Sequence, residues 1–402
     1  MAPGAFVFEP TGKAGPASFV KTMALREVIS PRLAPPPATV DLNSSAGKSN
    51  DGSGTGTRGG GGGGSDDIND AAGKRRVFWS IGPIFVPIDG IYGGHLLGQA
   101  VYAAYQTVEA KFYCHSVSSN FLIQGRPKLP LCYTVETLRE GKSYCTRHVQ
   151  IRQPAASQQH RPLDAAVIFV ATVSFKTAEA RGLESQVPPP RELRSWVASP
   201  RRHEVAPAVD IPCWMEFIRK KRIPSLYNGV EIRKVDMEAA NRSRPLHEHR
   251  KIQIYRPVGQ LPPDQQSILS LCAHIYASDR NGMFAITDPH NVGNDIIHTG
   301  SLSHTLIFHA NPTKLLFRPS DSSSSSDSDN DGSSPDWAVL EQFGDGASEG
   351  RGVVRGRLWN VDGTLLATTV QDAVVRVRVD EGGSGQGGKK MRTFSELLKS
   401  ML

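Results

Sequence analysis

Histidine and cysteine are the side chains best suited to metal or nucleophilic chemistry, but their spacing in this chain supports neither. Five cysteines are scattered without a CxxC pair, and no histidines have the spacing of a zinc site. An odd number of cysteines in 402 residues favours buried, reduced thiols. No serine is predicted at the strand-to-helix turn that presents the nucleophile of a Ser–His–Asp triad. The histidines considered for such a triad are His95, His115, His304 and His309. We therefore predict no metal site and do not favour a serine nucleophile.

A pair of glycines, Gly93 and Gly94, begins a segment with the apolar spacing of a helix. Backbone N–H groups in the first turn of a helix are unpaired and carry partial positive charge, and glycine lets a ligand approach them closely. Gly93, Gly94 and the following His95 are therefore candidates for binding a negatively charged oxygen of a substrate. Ordinary helix-start geometry explains the two glycines equally well.

Composition excludes several classes of protein. Lys and Arg exceed Asp and Glu by seven, but the basic residues are dispersed and no nucleic-acid motif accompanies them. This excess favours either a solvated basic surface or a phosphorylated small molecule as ligand. The longest apolar run, 165–175, is too short to cross a bilayer, and the N-terminus lacks the pattern of a secretory signal. We therefore predict a soluble protein without a nucleic-acid partner or a membrane span.

Two parts of the chain repeat one order of elements. After Gly94 the first part has a helix with one apolar face, and strand-like runs follow it. In the second part Asp264 is predicted to cap an apolar helix, strands follow again, and Asp362-Gly363 is a hairpin turn between the last two. The predicted strands are 116–123, 131–138, 144–152, 165–176, 301–309, 352–359 and 364–377. The repeat indicates an internal duplication that produces two similar α+β domains, packed as a pair.

We place the N-terminal domain at residues 17–185, the C-terminal domain at 200–380 and a tail at 381–402. Two tracts, 44–73 and 319–336, are too rich in Gly, Ser and Asp to form a packed core. They are predicted to be insertions in surface loops of the two domains.

Several motifs resemble those of type II acyl-CoA thioesterases, and they occur in the order of that family. Residues 93–100 (GGHLLGQA) resemble GGQxxGQA, and residues 115–125 (HSVSSNFLIQG) resemble HSxHSYFLxPG. In the second half YASD stands at 276–279, and residues 301–309 (SLSHTLIFH) resemble TIDHSMWFH. Residues 366–373 (LATTVQDA) resemble LASTVQEG. The resemblance covers most of residues 75–378. It implies a double hotdog fold, in which each antiparallel sheet wraps a central helix, and hydrolysis of fatty acyl-CoA without a cofactor.

The resemblance also implies a catalytic set, which falls on Asp279, Ser301 and Gln371. A carboxylate, a hydroxyl and an amide can share one water by hydrogen bonds. Asp279 is then expected to accept the proton of that water while Ser301 and Gln371 orient it. The aspartate of the second half would lie beside the Gly93-Gly94 helix start of the first half.

Some residues depart from the family pattern around this expected site. Arg280 and Asn281-Gly282 replace more apolar residues, Ser303 replaces aspartate, and Ile307 replaces tryptophan. We expect these changes to flank the substrate channel and to affect acyl preference more than chemistry. Two alternatives stay open: a hotdog protein that binds acyl-CoA without cleaving it, and a hotdog 3-hydroxyacyl-CoA dehydratase. The dehydratase would need a His–Asp or His–Glu pair at a helix start.

The sequence ends in Ser400-Met401-Leu402 after a short amphipathic stretch and a glycine-rich spacer. A small residue before a terminal leucine resembles a peroxisomal address, although methionine replaces the usual basic residue. We therefore predict the peroxisomal matrix, with the cytoplasm and an ordinary frayed helix end as the alternative. An import receptor and a homo-oligomer are the protein partners left open by the sequence.

Overall fold

Strands with one buried face occur in both halves of the chain in the computed structural model. Strand Tyr144–Arg152 illustrates the pattern, because every second residue is buried along most of its length. The structure describes residues 18–27, 74–87, 90–155, 161–179, 182–222, 229–317, 337–378 and 392–400. The tracts 44–73 and 319–336, residues 381–391, Met401 and Leu402 lie outside this range, so the predictions made for them stay predictions.

The described residues contain thirteen strands, six before residue 185 and seven after residue 200. The strands of the first half are β1 Leu25–Glu27, β2 Arg75–Ser80, β3 Tyr113–Phe121, β4 Cys132–Arg139, β5 Tyr144–Arg152 and β6 Val167–Lys176. Those of the second half are β7 Glu204–Val205, β8 Val230–Val235, β9 Lys251–Pro257, β10 Ile296–Phe308, β11 Ala338–Ser348, β12 Arg351–Trp359 and β13 Leu365–Val377.

All thirteen strands join one antiparallel sheet in the order β1-β2-β4-β5-β6-β3-β10-β13-β12-β11-β9-β8-β7. The two halves meet where β3 pairs with β10, with Ser118 opposite Thr305. The Ser119 hydroxyl donates to the His304 carbonyl across this junction at 2.8 Å. The halves therefore share a continuous hydrogen-bonded sheet.

Two central helices of 13 residues, α2 Gly93–Tyr105 and α6 Gln266–Ser278, are buried over most of their length. Each packs against the strands of its own half, and the two helices also pack against each other. At Gly98 of α2 the carbonyl accepts a hydrogen bond of 3.5 Å from the Cys272 thiol of α6. One apolar core therefore includes residues of both halves. The predicted double hotdog fold is confirmed.

Six shorter helices lie outside the central pair in the described residues. They are α1 Phe19–Met23, α3 Leu193–Ala198, α4 Pro212–Lys220, α5 Glu238–Arg242, α7 Phe284–Thr287 and α8 Phe394–Lys399. The predicted amphipathic stretch near the C-terminus is α8, which buries Leu398 in a cluster with Trp214 of α4. Among the described helices, none combines the length and hydropathy that crossing a bilayer requires.

Most predicted elements are found, and the differences have local causes. The seven predicted strands correspond to β3, β4, β5, β6, β10, β12 and β13. The prediction that Asp264 caps the second central helix is wrong, because α6 begins at Gln266 with Gln265 as the capping residue and no side-chain cap. The predicted turn at Asp362-Gly363 is confirmed: Gly363 has φ +83° and its N–H donates to the Asn360 carbonyl.

The predicted state of the cysteines is confirmed. All five are free and buried. Burial raises the pKa of Cys114 and of Cys132 to about 12, so both thiols stay protonated and unreactive.

Candidate functional site

The Asp279 carboxylate lies where the two halves of the molecule meet. Asp279 directly follows α6 and is only 7 % exposed. Its Oδ2 accepts a hydrogen bond of 2.8 Å from the backbone N–H of Gly94, in the first turn of α2. An anion is stabilised at this end of a helix by the unpaired N–H groups and the helix dipole. The carboxylate of one half is therefore held by the helix start of the other.

Ser301 and Gln371 reach this carboxylate from neighbouring strands. The Gln371 amide donates at 2.6 Å to Asp279 Oδ1 and at 2.7 Å to Ser301 Oγ. The Ser301 hydroxyl points to the same Asp279 Oδ1 at 3.5 Å. A shift of register between Ser301 and Ser303 interrupts the β10–β13 ladder, and such bulges re-aim side chains. The structure thus brings the three predicted residues together, whereas their catalytic role stays a prediction.

Both glycines at the start of α2 are explained by close approach. A Cβ on Gly93 would lie 2.8 Å from Asp279 Oδ2 and 2.9 Å from the Phe121 ring. A Cβ on Gly94 would lie 2.4 Å from the carbonyl oxygen of Tyr276. A side chain at either position would push the helix start away from the carboxylate, so the site requires glycine there.

Gly93, Gly94 and His95 are predicted to bind a substrate oxyanion, and the structure gives the contacts of Gly94 and His95. The Gly94 N–H already donates to Asp279, so it holds the carboxylate in this state. His95 is fully buried, and neither ring nitrogen has a hydrogen-bond partner in the described residues. Burial lowers the pKa of His95 to about 4, so the ring is neutral at physiological pH. Binding of a substrate oxygen by these residues stays a prediction.

His304 is a neighbour of the carboxylate that sequence reasoning considered only for a triad. It is fully buried in β10, with Nδ1 3.5 Å from Asp279 Oδ1 and Nε2 3.2 Å from the Ser278 hydroxyl. His115 and His309 instead contact Ser174 and Thr368 on the strands. The signal for His304 was its place in the SLSHTLIFH motif, three residues after Ser301.

The structure contains no nucleophile elbow within the described residues. Residues 346–350 match the spelling GxSxG, but they form the hairpin between β11 and β12, with Ser348 exposed and Gly350 at positive φ. An elbow requires a turn from strand to helix. A Ser–His–Asp triad is therefore not supported.

Side-chain amides hold the backbone that carries Asp279. Gln253 on β9 donates to the Arg280 carbonyl at 2.8 Å, and Gln342 on β11 donates to the Ser278 carbonyl at 3.3 Å. Both amides are buried. Sequence reasoning missed them because glutamine in a strand gives no signal of which carbonyl it will meet.

Two of the residues that depart from the family pattern, Arg280 and Ile307, differ in burial. Arg280 is buried, and its guanidinium stacks over the Phe85 ring at 4.7 Å and the Tyr92 ring at 5.1 Å. Ile307 is 48 % exposed on β10, and its expected place beside the substrate channel stays a prediction. Leu306 and Phe308 take the inward positions, since side chains alternate along a strand.

Arg147 is a buried cation of the first half that is bonded to Thr107 and Glu140, so it stabilises the packing there. No group of His, Cys, Asp or Glu in the part of the chain described could hold a metal ion. A cleft of about 510 Å³ beside α5, β8 and β9 is lined by charged residues, but none of the three candidate catalytic residues lines it.

Comparisons with known proteins identify the family of both halves. Residues 83–176 match the model of the acyl-CoA thioesterase N-terminal domain, and residues 202–375 match that of the acyl-CoA thioesterase C-terminal domain. These matches lie inside the predicted domains 17–185 and 200–380, whose exact limits stay predictions.

Curated relatives are similar over most of their own length. Human acyl-coenzyme A thioesterase 8 is 28% identical over 301 residues, which are 73% of this chain and 83% of the relative. Acyl-CoA thioesterase 2 of Haemophilus influenzae is 24% identical over 71% of this chain and 87% of its own. Among solved structures, acyl-CoA thioesterase II TesB2 of Mycobacterium marinum superposes with a TM-score of 0.51 at 22% identity, covering 78% of this chain and 96% of its own. This likeness shows the fold.

Proposed function

The chain belongs to the acyl-CoA thioesterase family, and from this premise we propose that it hydrolyses fatty acyl-CoA with a water activated by Asp279, Ser301 and Gln371. The observation that supports this assignment most directly is the pair of hydrogen bonds by which Gln371 joins the other two side chains. These residues come from three separate elements of the second half, and the helix start of the first half completes the site.

In the proposed reaction the water lies beside Asp279 and Ser301 and forms a hydrogen bond with each. Their oxygens are 3.5 Å apart, which is too close for a water to lie directly between them but lets one water contact both. Gln371 donates to Asp279 and to Ser301 and thereby fixes their orientation. Asp279 takes one proton of the water while the water oxygen attacks the thioester carbon. The tetrahedral intermediate then expels the CoA thiolate, which receives that proton, and the fatty acid is released.

The oxyanion of this intermediate lies at the start of α2 in our proposal. The Gly93 N–H, the Gly94 N–H and His95 are the candidate groups. Gly94 donates to the Asp279 carboxylate in this structure. When Asp279 receives the proton of the water, its hold on Gly94 weakens just as the oxyanion forms. Removal of one oxyanion-hole donor costs roughly 3 kcal/mol in a studied hydrolase.

The first prediction concerns Asp279 and Gln371. Asp279→Ala removes the base and Gln371→Ala removes the orienting amide, so each is expected to lower kcat at least about tenfold, the low side of general-base effects. The measurement is release of free CoA, detected with a thiol reagent, over medium- and long-chain acyl-CoA substrates. Asp372→Asn is the matched control, because Asp372 is on the same strand and pairs with Arg351 on the sheet surface. It is expected to keep the wild-type rate.

Each contrary outcome selects another reading. Absence of CoA release by the wild-type protein at every chain length would favour the acyl-CoA binder. Wild-type rates in both variants would remove the water mechanism but keep the enzyme.

The dehydratase alternative has one observation in its favour, the approach of His304 to Asp279 at the start of α2. His304 is fully buried, however, and its Nε2 faces the Ser278 hydroxyl, so the ring does not reach a substrate. We therefore propose the thioesterase, and hydration of an enoyl-CoA by the purified protein would contradict this choice.

The peroxisomal matrix is proposed as the location on the sequence of Ser400-Met401-Leu402. In the described part of this segment α8 packs on the molecule through Leu398, and Lys399 and Ser400 are exposed. An import receptor, the cytoplasmic alternative and a homo-oligomer stay predictions.

A further inference from the structure

Tyr92 connects the ends of the two central helices. It is the residue immediately before α2, and its hydroxyl donates a hydrogen bond of 2.5 Å to the Tyr276 carbonyl in the last turn of α6. The two rings are also in edge-to-face contact, with centroids 4.8 Å apart. Both tyrosines are buried, so this hydrogen bond is shielded from water.

The same side chain also contacts the residue after Asp279. The Arg280 guanidinium lies over the Tyr92 ring at 5.1 Å. Among the described residues, no carboxylate lies within salt-bridge distance of Arg280. The aromatic faces of Tyr92 and Phe85 therefore provide the main favourable contacts of this buried cation.

Asp279 thus lies on a five-residue segment, 276–280, that Tyr92 contacts at both ends. The hydroxyl holds the carbonyl of Tyr276, and the ring holds the side chain of Arg280. The peptide after Tyr92 leads within two residues to Gly94, whose N–H donates to the Asp279 carboxylate. The Tyr92 side chain therefore connects the two segments that carry the donor, Gly94, and the acceptor, Asp279, which are 185 residues apart in sequence.

We infer that Tyr92 is a positioning residue, whose hydroxyl sets the Asp279 carboxylate against the Gly94 N–H and in line with Ser301 and Gln371. This inference rests on the proposed function, because it assigns Tyr92 a role in the turnover of the same site. Tyr92 itself does not touch the reacting atoms.

Two physical features support this role. Burial raises the pKa of Tyr92 well above its usual range, so the hydroxyl remains a donor at every pH at which the enzyme works. A displacement of about 1 Å at a reacting group can cost as much as 10²-fold in rate. Loss of one hydrogen bond that aligns Asp279 is therefore expected to affect kcat more than binding.

The test compares Tyr92→Phe with Tyr133→Phe. Tyr133 is an equally buried tyrosine of the first half, and its hydroxyl donates to Gln99 Oε1 at 2.5 Å, away from Asp279. Both variants keep the ring and lose one buried hydrogen bond. We expect Tyr92→Phe to lower kcat about tenfold with KM within about twofold, whereas Tyr133→Phe keeps wild-type kcat. The midpoint of thermal unfolding should fall by a similar amount in both variants.

Equal kcat in the two variants would overturn the inference, and so would a tenfold rise in KM of Tyr92→Phe at unchanged kcat. If Tyr92→Phe does not fold, Arg280→Met decides instead, with Arg256→Met as control, since Arg256 stacks over Trp337 at 4.7 Å in the second half. A lower kcat in Arg280→Met alone supports the role of Tyr92, and unchanged kcat overturns it. Failure of the role of Tyr92 is distinguishable from failure of the proposed function. The wild-type rate of CoA release and its loss in Asp279→Ala test the proposed function, and neither measurement depends on a change at Tyr92.

Discussion

At the residue scale, the candidate site is a set of polar groups that satisfy one another in a buried place. Asp279 accepts hydrogen bonds from three groups, Gly94, Ser301 and Gln371, and His304 Nδ1 lies 3.5 Å away. A carboxylate this buried would be costly without such partners. Sequence motifs indicated Asp279, Ser301 and Gln371, whereas the partners from other elements became visible only in the fold.

A second buried histidine illustrates what burial does to a titrating group. His274 in α6 accepts from the Tyr255 hydroxyl at 2.7 Å through Nδ1 and donates to the Leu315 carbonyl at 2.8 Å through Nε2. Burial lowers the pKa of His274 to about 4. The folded state therefore holds this ring neutral, while the unfolded chain protonates it near pH 6.5.

We predict a pH dependence of stability from this shift. The contribution of neutral His274 is fully present above pH 6.5 and is lost as the pH falls from there toward 4, because the unfolded state binds the proton first. Between pH 7 and pH 5 this costs about 2 kcal/mol in the free energy of unfolding. The glutamine in His274→Gln does not titrate. The free energy of unfolding of this variant, measured with urea, should therefore fall by about 2 kcal/mol less between pH 7 and pH 5 than that of the wild type. An identical loss in both proteins would contradict the assignment.

At the element scale, the two central helices determine where the site forms. The start of α2 faces the end of α6, and the site lies between them. Such an approach needs small residues, because the backbone of one helix contacts that of the other. Gly94 and Gly98 both lie on α2, yet only Gly94 is in tight contact with backbone of the partner helix.

This difference predicts opposite effects of two alanine substitutions. In Gly94→Ala the new Cβ would lie 2.4 Å from the Tyr276 carbonyl oxygen, so the helices must separate. We expect a loss of about 1–3 kcal/mol in the free energy of unfolding, typical of overpacking. In Gly98→Ala the nearest atom is the Met23 sulfur at 3.4 Å, on a flexible side chain. Because alanine favours helix by about 1 kcal/mol over glycine, this variant should equal or exceed the wild type in urea unfolding. Equal losses in both would contradict the contact argument.

At the scale of the whole molecule, the two halves share one sheet and one core in the described residues. The sheet is continuous through β3 and β10, and the core contains side chains of both central helices. Separation of the halves would expose this core and break the ladder between them. Independent unfolding is therefore costly, although the chain is long enough for two domains.

We predict a single cooperative unfolding transition. In calorimetry the wild type should show one endotherm, and Phe169→Leu, a change in the buried core of β6, should move all of it to lower temperature. The expected shift is a few degrees for a cost of about 1 kcal/mol. Two endotherms, of which only one moves, would show that the halves unfold separately.

Much of the fold followed from local pattern. In strand β5 most inward residues are apolar and the outward ones are mostly polar, and α2 and α6 carry wide apolar faces, so each could be predicted in place. Strand β8 was not predicted because charged residues interrupt it, as in VEIRKV, where Arg233 pairs with Glu231 on the sheet. Ion pairs of this kind stabilise a strand whose apolar alternation is weak. The sequence pattern of the strand does not reveal them.

The sequence alone determined the fold class, the duplication and the residue types that could activate a water, because periodicity and motifs are local properties of the chain. Only the tertiary structure decided which groups surround the Asp279 carboxylate. The Tyr92–Tyr276 hydrogen bond joins residues 184 positions apart, and the bulge that aims Ser301 arises from pairing with another strand. Such contacts depend on how separate elements pack, and no short stretch of sequence encodes them.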